Sequence, residues 1–160
     1  VALWVYFNDT AGEQVLVEKY IQRYDADSVG WTLTKLESNV LGLFMGSADG
    51  EGAGVDTIRP LRIAARTWNH FAATRRAGQH TLFMNGLPVA SAEGPSISPD
   101  SDSSLKFGHR GAPSDTPGSQ DESGMFVNGR IDEVQFFVGR ALSPEQIRAI
   151  YEAGSAGICK

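Results

Sequence analysis

The chain is 160 residues long and 41% apolar, with 19 Asp and Glu against 14 Lys and Arg for a net charge of −5. That length and apolar share support one domain with its own core and argue against disorder. The acidic balance argues against sequence-independent binding to nucleic acid, and no apolar run is long enough to cross a membrane as a helix.

Taken in chain order, Val1–Phe7 is predicted as a strand, followed by a turn at Asn8–Gly12 and a strand over Gln14–Ile21. A polar loop, Arg23–Ser28, leads to strands at Trp31–Glu37 and Val40–Met45. Ser47–Val55 reads as a Gly-rich acidic loop, and Thr57–Ala64 as a further short strand. Trp68–Thr74, His80–Met84 and Leu87–Ala92 form a predicted meander, with Asn85-Gly86 as the two-residue hairpin turn between the last two. The basic pair Arg75-Arg76 falls in its first turn. Leu105–His109 is one more strand, and Gly111–Gly124 a long loop without apolar period.

In Ile131–Val138, strict alternation puts Ile131, Glu133, Gln135 and Phe137 on one face and Asp132, Val134, Phe136 and Val138 on the other. Neither face is purely apolar, which predicts a central strand with layers on both sides. Ser143-Pro144-Glu145-Gln146 carries a capping box with proline at the first helical position. Ile147, Ile150 and Tyr151 recur at helical spacing, and Gly154 is a natural stop. Ten or eleven short strands, one helix and no βαβ alternation predict an all-β sandwich or jelly roll with one short C-terminal helix, which the resemblance below narrows to an antiparallel jelly-roll β-sandwich. Cys159 is the single cysteine, so no internal disulfide forms and the tail thiol is expected to be free. Val1 opens inside an apolar run, so the chain is expected to be a segment of a larger protein.

Five stretches carry a family resemblance. They are Trp68-Asn69-His70-Phe71-Ala72, Leu82-Phe83-Met84-Asn85-Gly86, Leu105-Lys106-Phe107-Gly108, Gly129-Arg130-Ile131-Asp132-Glu133-Val134 and Arg140-Ala141-Leu142-Ser143-Pro144-Glu145-Gln146-Ile147. In this order they resemble the laminin-G-like jelly-roll domains of the concanavalin A-like lectin/glucanase superfamily, with Gln146 where that family commonly has glutamate. The resemblance spans nearly the whole chain. It implies two antiparallel sheets and a glycan-binding or adhesion module of a secreted or cell-surface protein, in a family where many members bind calcium. Residues 1–160 are therefore expected to be a single domain of a larger multidomain protein, lacking the family's first strand.

Glycoside hydrolysis needs two carboxyls held at a set separation. The E-x-D-x-x-E run of the related glucanases is absent, and the adjacent Asp132 and Glu133 are expected to point to opposite faces. His70, His80 and His109 show no metal-ligand spacing. A non-catalytic module is the expectation, with a divergent glycoside hydrolase as the third possibility. For calcium, Asp132 is the best single candidate, because an acid in a half-buried strand needs a partner. The alternative is a carboxylate bonded to backbone N–H groups or to Arg130 or Arg140.

A sugar site needs an aromatic platform and directed polar groups. Tyr24 beside Asp25 and Asp27 is a candidate loop platform. His109, Arg110, Asp115, Gln120 and Asp121 are candidate bonding groups on a rim formed by His109–Gly124, and Asn69, His70 and Arg75 are further candidates. Trp4, Trp31 and Trp68 are expected in the core. The function expected is carbohydrate recognition or adhesion, with a glycan or a surface protein as partner and calcium as a structural ion. The alternative is a protein–protein module without sugar affinity, marked by an exposed apolar patch.

Overall fold

The computed structural model describes residues 1–21, 28–57, 59–96, 98–111 and 124–154. Within them the chain forms β1 (Ala2–Phe7), β2 (Gln14–Ile21), β3 (Val29–Lys35), β4 (Leu41–Gly46), β5 (Gly52–Asp56), β6 (Trp68–Arg76), β7 (Gln79–Met84), β8 (Leu87–Glu93), β9 (Lys106–Phe107), β10 (Gly129–Gln135) and α1 (Pro144–Ala153). All strand pairs are antiparallel, in two five-stranded sheets ordered β10-β1-β6-β7-β8 and β5-β4-β3-β2-β9. This is the jelly-roll sandwich that the strand spacing and the family resemblance together predicted.

Alternation along each strand builds the core between the sheets. Leu3, Val5 and Phe7 of β1 and Phe71 and Ala73 of β6 meet Leu33, Leu41, Leu43 and Met45 from the other sheet. In β2 one extra residue falls between the pairs Val15–Thr34 and Val17–Leu33, so Leu16 and Val17 both reach this core. A second, smaller core lies on the outside of the first sheet. There α1 sets Ile147, with Leu142 before it, against Ala2, Ala72 and Phe83. We call this sheet the helix-side sheet.

The helix begins where its cap predicts. Ser143 Oγ accepts from the Gln146 N–H at 3.3 Å, and Gln146 Oε1 accepts from the Ser143 N–H at 3.0 Å. The Asn85-Gly86 hairpin also forms, with both residues at positive φ. Gly86 serves twice, since a Cβ there would come within 2.9 Å of the Tyr151 ring of α1.

Four expectations need correction. Gly52–Asp56 is a strand rather than part of a loop, because its backbone pairs along β4 despite three non-apolar positions out of five. The described part of Thr57–Ala64 is not a strand; Thr57 ties back to Leu41 instead, and Leu61 N–H donates to Asn39 O. Leu105–His109 shortens to a two-residue strand. The largest change concerns β10, which lies at the edge of the helix-side sheet, paired with β1 alone among the described strands. A bulge sits in it, with Trp4 opposite Asp132 but Ala2 opposite Gln135, and with Glu133 at φ +47°. The extra residue breaks the alternation, so Ile131 and Val134 both pack toward the main core. The mixed polarity that suggested a central strand is the mark of this bulge.

Candidate functional site

Because α1 occupies the outside of the helix-side sheet, the other sheet presents an outer face that no described helix covers. From β5 to β9, alternation turns Gly54 and Asp56, Gly42 and Phe44, Thr32 and Thr34, Glu18 and Tyr20, and then Lys106 toward that face. Phe44 lies flat across it. A Cβ on Gly42 would sit 2.6 Å from Phe44 Cε2, and one on Gly54 would sit 3.1 Å from Phe44 Cδ1. The two glycines thus leave the room that the ring fills. A shallow groove of about 600 Å³ runs beside it, where Gly52, Gly54 and Asp56 meet Ser91 and Ala92 of β8.

At the other end of the face, Glu18 is completely buried. Arg110 Nε donates to its Oε2 at 3.4 Å, and the Gly111 N–H donates to its Oε1 at 2.8 Å. The guanidinium also lies 5.7 Å from the centre of the Tyr20 ring. Arg110 N–H donates to Gly124 O at 3.0 Å, so both ends of the long loop are pinned at one point of this sheet. Beside the pin, His109 stacks on Phe126, with ring centres 5.7 Å apart and planes 13° apart, and Phe126 is 59% exposed. His109 Nδ1 is 3.2 Å from Phe107 O. An exposed aromatic ring on a rim held in place by a buried ion pair supplies the surface on which the CH face of a pyranose stacks.

Of the rim candidates, the structure describes His109 and Arg110, and both lie at this edge. Tyr24, Asp25, Asp27, Asp115, Gln120 and Asp121, like Cys159, lie outside the described residues. Two further candidates are engaged or sequestered. Asn69 is buried and donates to Ala64 O at 2.9 Å and Thr67 O at 3.1 Å. His70 is buried between Trp4 and Tyr151, and burial lowers its pKa to about 4. Glu18, Phe44 and Phe126 were not among the sequence candidates. The available signal was Glu18 itself, a lone acid in an otherwise apolar-rich strand.

Asp132 is exposed rather than half-buried, and its Oδ1 accepts from the Glu133 N–H at 2.8 Å. Since Glu133 bulges, the two carboxylates do not point to opposite faces as alternation predicted. Both line one cavity of about 320 Å³ with Trp4, Trp68 and Gly154. Trp68 is correspondingly 40% exposed and not a core residue, and Trp4 is half-buried. Calcium takes six to eight oxygens. Two carboxylates on a rim of indole fall short of that, and among the described residues no three His, Cys, Asp or Glu side chains converge to hold a metal. The described surroundings of Asp132 do not fit a calcium ion. A third cavity, of about 360 Å³, opens between the sheets beside Trp31, Met45, Phe136, Val138 and Arg140, and Val138 there is 94% exposed. Its walls are mostly apolar, with Thr74, Arg75 and Arg140 as the polar lining side chains among the described residues.

A family model described as the concanavalin A-like lectin/glucanases superfamily matches residues 1–148. No curated protein matches the chain in sequence. Among solved structures, the chain is similar to the Ruminococcus gnavus IT-sialidase CBM40 bound to α2,3-sialyllactose, with 16% identity and a TM-score of 0.69 over 94% of this chain and 80% of that one. It is also similar to the binding domain of Paraclostridial Mosquitocidal Protein 1, with 18% identity and a TM-score of 0.66 over 95% of this chain and 36% of that one. The botulinum neurotoxin serotype D binding domain follows, with 15% identity and a TM-score of 0.60 over 95% of this chain and 35% of that one. At these identities the likeness is one of fold, and the chain spans about a third of each toxin binding domain.

Proposed function

Because the chain belongs to the concanavalin A-like lectin/glucanases superfamily, we propose that it is a non-catalytic glycan-binding module that meets its ligand at the β9 edge of the face that no described helix covers. The observation that carries this reading is the exposed Phe126 ring, stacked on His109 beside the Arg110–Glu18 pair. Phe126 is the platform and His109 stiffens it. A sialyllactose-bound module among the structural neighbours supports placing acidic glycans among the ligands to be screened. The same reading places the domain in a larger secreted or cell-surface protein.

A glycan array with neutral and sialylated oligosaccharides tests this. Binding is expected, and Phe126→Ala should weaken it by roughly fivefold or more, on the scale of one aromatic contact, without lowering the melting temperature. A blank array would favour the second reading, a protein–protein module. That reading draws on a separate observation, the exposed Phe136 and Val138 at the mouth of the apolar cavity between the sheets.

A further inference from the structure

We infer that the cavity of Trp4, Trp68, Asp132 and Glu133 on the helix-side sheet is a second ligand site, built for an organic cation with a methylated ammonium group. It lies on the outer face of the helix-side sheet, whereas the glycan candidate lies at the β9 edge of the other sheet, and it does not depend on it.

The walls come from strand pairing. Trp4 of β1 stands opposite His70 of β6, and Tyr6 stands opposite Trp68. This places the two indoles diagonally across neighbouring strands, within reach of one small ligand. Each indole is held by a tyrosine ring. Tyr151 of α1 stacks on Trp4 at 5.7 Å with planes 24° apart, and Tyr6 meets Trp68 edge-on at 5.7 Å. The helix sets Ile147 against Ala2, Ala72 and Phe83 and reaches Trp4 through Tyr151, while Trp68 remains 40% exposed.

The charge comes from the β10 bulge. Glu133 holds a left-handed backbone at φ +47°, which costs a non-glycine residue about 1 kcal/mol. The Asp132 carboxylate supports that turn by accepting the Glu133 N–H. The result is that two carboxylates border one cavity. Gly154, the C-terminal cap of α1, borders it too, and that end of a helix carries partial negative charge with no basic residue in its last turn.

Nothing cationic among the described lining residues offsets this. The nearby Arg130 lies over the Tyr6 ring at 5.6 Å. His70 beneath Trp4 is held neutral near pH 7 by its burial. Two acidic side chains with indole walls and no basic lining residue select for positive charge. Few oxygens and much aromatic surface favour a soft, weakly hydrated cation over a metal ion. A neutral sugar would need donors as well as acceptors, and among the described lining residues the side-chain donors are the indole N–H groups alone.

Tryptophan fluorescence of the full chain, titrated with choline and tetramethylammonium, tests the site. The control is 3,3-dimethylbutanol, the uncharged carbon isostere of choline. Saturable quenching by both cations and none by the isostere is expected. Trp68→Ala should weaken binding by roughly fivefold or more, as for a lost cation–π wall. Asp132→Asn keeps an oxygen for the Glu133 N–H while removing the charge, so it should weaken cation binding with the melting temperature unchanged. Both variants should retain whatever glycan binding the wild type shows. Equal binding of the isostere, an uncharged sugar that saturates the quenching, or no saturable quenching by either cation would overturn the inference.

Discussion

Arg110 reaches across 92 residues of sequence to donate to Glu18 at 3.4 Å, and Glu18 is completely buried by the contact. The same carboxylate also accepts from the Gly111 N–H. One acid in β2 therefore fixes the start of the long loop and, through the Arg110–Gly124 bridge, its end.

Glu18→Ala should destabilise the domain by about 2–4 kcal/mol, because it removes a completely buried acceptor shared by the Arg110 Nε–H and the Gly111 N–H and empties its place in the sheet. Glu18→Gln keeps an acceptor for Gly111 and should cost less. Urea denaturation measures both. An unchanged midpoint in Glu18→Ala would show that the pair does not hold the loop.

Stability should fall in mild acid. Burial lowers the His70 pKa from 6.5 to about 4, so between those values the unfolded chain binds a proton that the folded chain refuses. The stabilisation is full above pH 6.5 and is lost progressively as pH falls toward 4. Its extent is on the order of 3 kcal/mol, from about 1.4 kcal/mol per pH unit across that range. His80, lowered by burial and by nearby Arg75, acts in the same direction. Among the described residues neither His70 ring nitrogen finds a hydrogen-bond partner, so His70→Phe should be tolerated at pH 7 and should flatten the acid limb. Denaturation midpoints at pH 7.5, 6, 5 and 4 would decide; the same slope in wild type and variant would dismiss the account.

Gly86→Ala should destabilise by about 1–2 kcal/mol, from its positive φ and its approach to Tyr151. The displaced Tyr151 should also loosen its stack on Trp4. A lower melting temperature with altered tryptophan fluorescence is expected; a loss confined to stability would mean the hairpin yields without moving the helix.

Calcium at Asp132 is open to a direct measurement. Since the described surroundings offer two carboxylates against six to eight oxygens, a chelator is expected to leave the melting temperature of wild type and Asp132→Asn alike. A chelator-induced drop that the substitution abolishes would place the ion there.

Much of this architecture was written locally. Asn85-Gly86 selects its hairpin through φ, Ser143 and Gln146 start α1 through paired caps, and alternating apolar residues in β1, β3 and β4 sort themselves to the core. Such signals need only near neighbours, and the ordered motifs added the family and with it the two-sheet sandwich. The sites obeyed other rules. A bulge at Glu133 reversed the faces of β10, because one extra residue shifts a period of two, and so joined Asp132 to Glu133. Trp68 remained 40% exposed while α1 reached Trp4 through Tyr151, and Glu18 acquired Arg110 only when β9 paired with β2. Each outcome depends on which distant segment arrives beside a residue. Pattern along the chain determined the strands and their cores, while only the packed tertiary structure decided which polar and aromatic side chains share a site.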